Sequence, residues 1–146
     1  MTHARPLRVL LVDDNLTDRL LAEEAFGLID RPCDLVTAES GEAALKLLTH
    51  PETLLPDVLL LDVNMPGMNG FELLAKLKDT PQLLLIPVVM LTTSAIPKDV
   101  SQAYILHASA YMIKSASFQT SLEQIEKFIE FWIQARVTTR SEMITP

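Results

Sequence analysis

Two apolar runs, each ending in acid, constrain this chain more than any other feature. Val9-Leu10-Leu11-Val12 runs into Asp13-Asp14, and Val58-Leu59-Leu60-Leu61 closes on Asp62. A short continuous run rich in Val and Leu, bounded by polar residues, reads as a strand buried on both faces, the kind found in parallel sheets covered by helices. Such sheets carry their chemistry at the carboxyl ends of the strands. Asp13, Asp14 and Asp62 are therefore expected to meet at one sheet edge. Converging carboxylates repel one another, so a site that keeps them ionised near neutral pH calls for a cation. All-oxygen donors suit a hard ion such as Mg²⁺.

Apolar runs alternate with stretches of helical periodicity along the chain, which predicts an α/β fold with a parallel sheet and helices on both faces. Strands are expected at Leu7 to Val12, Asp34 to Ala38, Val58 to Leu61, Val88 to Leu91 and Ala110 to Ile113, with Pro87 at a strand start, where proline is tolerated. The first helix should open near Thr17 or Asp18 and turn Leu20, Leu21, Ala25 and Phe26 inward. Ser40 can cap a second helix carrying Ala44, Leu45 and Leu48, and Gly70 to Lys78 supplies a third with Phe71, Leu74 and Leu77 inward. Pro97 suits the first turn of a fourth. Thr120-Ser121-Leu122-Glu123 matches a capping box for a fifth, running to about Arg136 before the tail frays after Val137.

The 146 residues fit one domain, and a net charge of -7 argues against nucleic acid and anionic lipid as partners, because phosphate contacts need clustered Lys and Arg. Cys33 is the only cysteine and cannot form a disulfide within the chain. The N-terminus has no apolar stretch of a secretion signal, and the longest apolar stretch, Leu83 to Leu91, is broken by Pro87 and falls short of the roughly 20 residues that span a bilayer. A cytoplasmic protein without a membrane anchor is expected. His3, His50 and His107 lack metal-ligand spacing.

Taken together, the motifs resemble the receiver domain of two-component response regulators (CheY-like), over residues 7 to about 136. Asp13-Asp14 follows the first strand and Asp62-Val63-Asn64-Met65-Pro66-Gly67-Met68-Asn69-Gly70 the third. Leu91-Thr92-Thr93-Ser94-Ala95 follows the fourth, and Tyr111-Met112-Ile113-Lys114 closes the fifth. The resemblance implies a doubly wound, flavodoxin-like (βα)5 sheet in strand order 2-1-3-4-5. It leaves 1–6 and 137–146 as short extensions with no output domain. It also implies that Asp62 accepts a phosphoryl group from a sensor histidine kinase, so that the chain is a phosphoacceptor and not an enzyme. Mg²⁺ would be held by Asp14, Asp62 and the backbone carbonyl of Asn64, with Asp13 acting mainly through a bound water. Lys114 and Thr92 would read phosphoryl oxygens, and Thr92 with Tyr111 would form the switch. Thr93 could take the place of Thr92 if the register were one residue off. Asn64 and Ser94 would tune the lifetime of the acyl phosphate, Gly70 would serve a sharp turn, and Pro66 would rigidify the loop.

One departure concerns Lys114-Ser115, where receivers usually place proline after the lysine in a cis peptide, so this bond is either a costly non-proline cis bond or trans. The Lys-Ser ending and Tyr104-Ile105-Leu106-His107 resemble the small response regulators paired with bacterial phytochrome kinases. That subgroup forms homodimers through the fourth helix, fifth strand and fifth helix. Here Phe128, Phe131 and Trp132 give the last helix more apolar surface than one sheet-facing stripe requires. The rival readings are a flavodoxin-like FMN-binding domain, which would want a glycine-bearing phosphate loop where Asp13-Asp14-Asn15 stands, a hydrolase using Asp62 as nucleophile, which would want a general acid where Asn64 stands, and a receiver-like scaffold that is never phosphorylated.

Overall fold

A computed structural model describes residues 5–93, 97–115 and 117–135. Five strands and five helices alternate: β1 (Leu7–Val12), α1 (Leu16–Leu28), β2 (Cys33–Ala38), α2 (Gly41–Thr49), β3 (Val58–Asp62), α3 (Gly70–Lys78), β4 (Val88–Thr92), α4 (Pro97–Ile105), β5 (Ala110–Ile113) and α5 (Phe118–Ala135). All strand pairs are parallel, in the order β2-β1-β3-β4-β5. The three inner strands are those with unbroken apolar runs, as burial on both faces demands. Leu10, Leu59, Leu61, Val88 and Met90 point to one side, onto α2, α3 and α4 residues, while Leu7, Val9, Leu11, Leu60 and Val89 point to the other, onto Phe26 of α1 and Phe128 and Ile129 of α5. Among the described residues no helix is long and apolar enough to cross a membrane.

Three expectations about the helices need correction. Helix α1 opens at Leu16, capped by the Asn15 side chain, which accepts the Asp18 N–H at 2.9 Å. That start turns Ala22, Ala25, Phe26 and Ile29 inward at helical spacing and leaves Leu20 and Leu21 exposed; Leu21 instead borders the cleft between α1 and α5. Helix α5 begins at Phe118 and not at Thr120, because Ser117 is its cap: the Ser117 hydroxyl accepts the Thr120 N–H at 3.1 Å and donates to the Thr120 hydroxyl at 2.7 Å. Gly70 opens α3 without a left-handed φ, and its need for glycine is steric. A Cβ there would overlap the Asp62 carbonyl oxygen and come within 2.9 Å of Val63 Cα, so glycine is required for a close approach of backbones. The positive φ of the loop, 71°, belongs to Gly67. Ser94, Arg136 and Val137 lie outside the described residues.

Candidate functional site

Sheet register gathers the polar residues at one edge. Val12 lies beside Leu61, so Asp13 is level with Asp62; Asp62 lies beside Leu91, so Thr92 projects one step further; Thr92 lies beside Ile113, so Lys114 follows one step beyond that. Asp13, Asp62, Thr92 and Lys114 are each the first polar position after an apolar run, so the pleat that buries the runs delivers the site.

Asp13, Asp14 and Asp62 each offer a carboxylate oxygen, and these oxygens lie within 4.8 Å of one another. Asp13 is 1% exposed and Asp62 5%, whereas Asp14 faces solvent. The Asp13 loop is held by two bonds: Asn15 N–H donates to Asp13 Oδ1 at 3.0 Å, and Arg19 Nη1 donates to the Asp13 carbonyl at 2.8 Å. Lys114 points its ammonium into the cluster, 2.8 Å from Asp13 Oδ2, 3.0 Å from Asp18 Oδ2 and 3.6 Å from Asp62 Oδ1. Its own N–H donates to the Thr92 carbonyl at 2.5 Å, which ties the β5–α5 loop to the end of β4. The Lys114–Ser115 peptide is trans.

Burial pushes the Asp62 carboxyl up from 3.8 to about 6; the Asp13 and Asp14 charges add to this, while Lys114 and the Asn64 N–H oppose it. For Lys114, burial favours the neutral form, but hydrogen bonds to Asp13 and Asp18 and the charges of Asp13 and Asp62 outweigh it, so its pKa is raised. A buried Asp62 carboxyl whose charged form is disfavoured, with two more carboxylates beside it, is ready for a cation, and the all-oxygen donor set fits a hard divalent ion.

Thr92 is buried and Thr93 exposed, so the threonine directly following the apolar run is the one within the site. Its hydroxyl is hydrogen-bonded to the Tyr111 phenol. Burial raises the Tyr111 pKa, the Thr92 bond opposes that shift, and the Asp99 charge reinforces it. Asn64 is exposed, and its N–H points at Asp62 Oδ1 at 3.4 Å. On α5 the expected apolar trio divides. Phe128 is buried in the core and offers no surface, Trp132 is half-buried, and Phe131 is 60% exposed, with its ring edge-on to Trp132 at 5.0 Å.

Two residues of the site escape sequence reasoning. Asp18, which pairs with Lys114, reads in sequence as an ordinary first-turn acid of α1, and Arg19 as an exposed basic residue of the same helix. Neither belongs to a motif: Asp18 is revealed by the approach of Lys114 to α1, and Arg19 by its reach back to the Asp13 carbonyl.

A five-stranded parallel sheet with acids at the ends of β1 and β3, a threonine at the end of β4 and a lysine after β5 is the arrangement of a phosphoryl-accepting receiver. The response regulator receiver domain family matches residues 9–126, and the chain belongs to it. The probable methanogenesis regulatory protein FilR2 of Methanothrix harundinacea is 35% identical over 131 residues, covering 88% of this chain and 84% of that protein. Response regulator Rcp1 of Synechocystis sp. is 33% identical over 133 residues, covering 88% of this chain and 90% of that protein; its Mn²⁺-bound form superposes with a TM-score of 0.80 at 34% identity, covering 91% of this chain and 98% of that one. The phosphorylated cyanobacterial phytochrome response regulator RcpA superposes with a TM-score of 0.82 at 34% identity, covering 90% of this chain and 97% of its own. The chain is thus a CheY-type receiver of the two-component class, related in sequence and fold to phytochrome-associated regulators, and the FMN-binding alternative is set aside.

Proposed function

We propose that Asp62 accepts a phosphoryl group from the phosphohistidine of a sensor histidine kinase and that the resulting acyl phosphate changes the protein-contact surface of the chain. The observation that carries this reading is the meeting of three carboxylates and one ammonium at the carboxyl edge of the sheet. An Asp62 carboxylate oxygen forms the new bond to phosphorus while the bond from phosphorus to the imidazole nitrogen breaks, and the imidazole leaves with the bonding pair. Such a transfer needs positioning and cations around the equatorial oxygens more than it needs proton chemistry. Asp13, Asp14, Asp62 and the Asn64 carbonyl are the groups that would hold Mg²⁺. When bound, the ion would neutralise charge on the carboxylates and on the arriving phosphoryl oxygens. Lys114 supplies a further positive charge beside Asp13 and Asp62, and Thr92 a hydroxyl donor. The chain works as a phosphoacceptor in the cytoplasm, where a protein with a single cysteine is at home.

Signal output follows from the Thr92–Tyr111 bond. A phosphoryl oxygen that draws the Thr92 hydroxyl takes it from the Tyr111 phenol, and the freed ring can adopt a second position against α4. Tyr104, Ile105, Ile113 and Phe131 expose apolar surface along α4, β5 and α5, and this face is our choice for the homodimer and for downstream partners. The likeness to RcpA and Rcp1 supports a bacteriophytochrome as the kinase.

Intact-mass measurement after incubation with Mg²⁺ and acetyl phosphate tests the reading. The wild type should gain one phosphoryl group, and Asp62→Asn and a chelated sample should gain none. Equal behaviour of wild type and variant would remove Asp62 as the acceptor and favour a scaffold.

A further inference from the structure

Lys114 makes one more commitment than phosphoryl recognition requires. Of its three ammonium hydrogens, two are directed to Asp13 Oδ2 at 2.8 Å and Asp18 Oδ2 at 3.0 Å, while Asp62 Oδ1 lies at 3.6 Å, beyond direct hydrogen-bond reach. Asp18 comes from a different element, the first turn of α1, three residues after the cap Asn15. An acid in that position normally returns to the N–H of the cap residue, as Glu72 does to Asn69 at the start of α3, at 2.9 Å. At the start of α1 that return is blocked, because the Asn15 N–H is already donated to Asp13 Oδ1 at 3.0 Å. The Asp18 carboxylate is thereby released to reach Lys114.

The two acids that hold the ammonium differ in what they can give up. The Asp13 side chain is 2% exposed and belongs to the carboxylate cluster, whereas the Asp18 side chain is 42% exposed and can be taken up by water when its partner leaves. Any movement of Lys114 toward a phosphoryl group on Asp62 therefore exchanges the Asp18 bond first.

We propose that Asp18 is a positioning residue that holds Lys114 at the rim of the site before phosphorylation and competes with the phosphoryl oxygen for the ammonium afterwards. The proposal rests on the reading of Asp62 and Lys114 given above. An interaction made only in the unphosphorylated state disfavours the phosphorylated one by its own strength. The charge of Asp18 also repels an anionic donor approaching the same rim. Both effects have the same sign, so removing the carboxylate should speed phosphorylation.

The test compares wild type with Asp18→Asn, Asp18→Ser and Asp18→Glu at saturating Mg²⁺. The readouts are the second-order rate of Asp62 phosphorylation by acetyl phosphate, followed by intact mass, and the affinity for beryllium trifluoride, an unreactive phosphoryl stand-in, followed by amide NMR shifts. Asp18→Asn and Asp18→Ser should each raise the rate and the affinity by about two- to fivefold, the range of a partly exposed ion pair, while Asp18→Glu, which keeps the charge, should remain near wild type. A merely structural role would lower the rate in the neutral variants and would not be rescued selectively by Glu. Neutral variants that are slower than wild type or equal to it, in a wild type that does gain a phosphoryl group on Asp62, would overturn competition by Asp18 and leave the phosphoacceptor reading intact. A wild type that gains none would overturn both.

Discussion

Ionising Asp62 in the metal-free protein should work against folding, and Asp62→Asn isolates that effect. The carboxyl titrates at about 6 in the folded chain against 3.8 when unperturbed. Two units at about 1.4 kcal/mol each correspond to roughly 3 kcal/mol. The Asp62 side chain is only 7% exposed, so solvent screening removes little of this, although the amide will not reproduce every contact of the carboxylate and about 1–3 kcal/mol is the range to expect. The sign follows from proton binding. Between pH 3.8 and 6 the folded state holds the Asp62 proton more tightly than the unfolded state does, so the contribution of this group to stability is complete below 3.8 and is lost as pH rises through 6. Urea denaturation in a chelator, followed by circular dichroism at several pH values, should find the two proteins close near pH 4, with the variant more stable above pH 7. Because every other group titrates in both proteins, their difference isolates Asp62. Mg²⁺ should narrow the gap by stabilising the wild type preferentially. A stability difference that does not change with pH, or an asparagine variant less stable than wild type at pH 7.5 without metal, would refute the reasoning.

Lys114→Gln should destabilise the metal-free chain by roughly 3 kcal/mol, since it leaves the buried Asp13 carboxylate without its ion-pair partner; urea denaturation measures the loss, and an unchanged midpoint would mean that Asp13 is compensated otherwise. Gly70→Ala should cost about 1–3 kcal/mol, because the added methyl meets the backbone of Asp62 and Val63, which cannot rotate aside. The same variant should slow Asp62 phosphorylation by displacing the acceptor, as intact mass over time would record.

How much of this was legible in the sequence depends on whether local or tertiary facts decide each feature. The inner strands were readable because a strand covered on both faces admits no polar interruption along its buried run, and the strand ends were readable because the acids and Lys114 terminate apolar runs. The inward face of α1 was not. Leu20 and Leu21 are apolar and lie at helical spacing, but apolar character permits exposure as readily as burial, and the stripe through Ala22, Ala25 and Phe26 is selected by the packing of α5 on α1. The start of α5 was ambiguous for a different reason: Ser117 and Thr120 are both competent caps three residues apart, and the sequence holds nothing that ranks them. Gly70 was recognised as necessary for the wrong cause, since the overlap with Asp62 involves backbone atoms seven and eight positions earlier in the chain, brought there by the β3–α3 loop.

The role of Asp18 is the clearest case of a property that no local rule contains. By its position in the first turn it is a helix-start acid, with a favourable interaction with the N-terminal N–H groups and a default partner in the N–H of Asn15. Its default partner is removed by Asp13, a residue whose own placement is set by the pairing of β1 with β3. The competing partner, Lys114, arrives from the far side of the sheet through the pairing of β4 with β5. Three strand registers must therefore be correct before the carboxylate can reach the ammonium. A change at the outer end of β5 that moved Lys114 by one residue would leave Asp18 to solvent, because the Asn15 N–H stays with Asp13, and would remove the second partner from the ammonium without altering a single acidic residue.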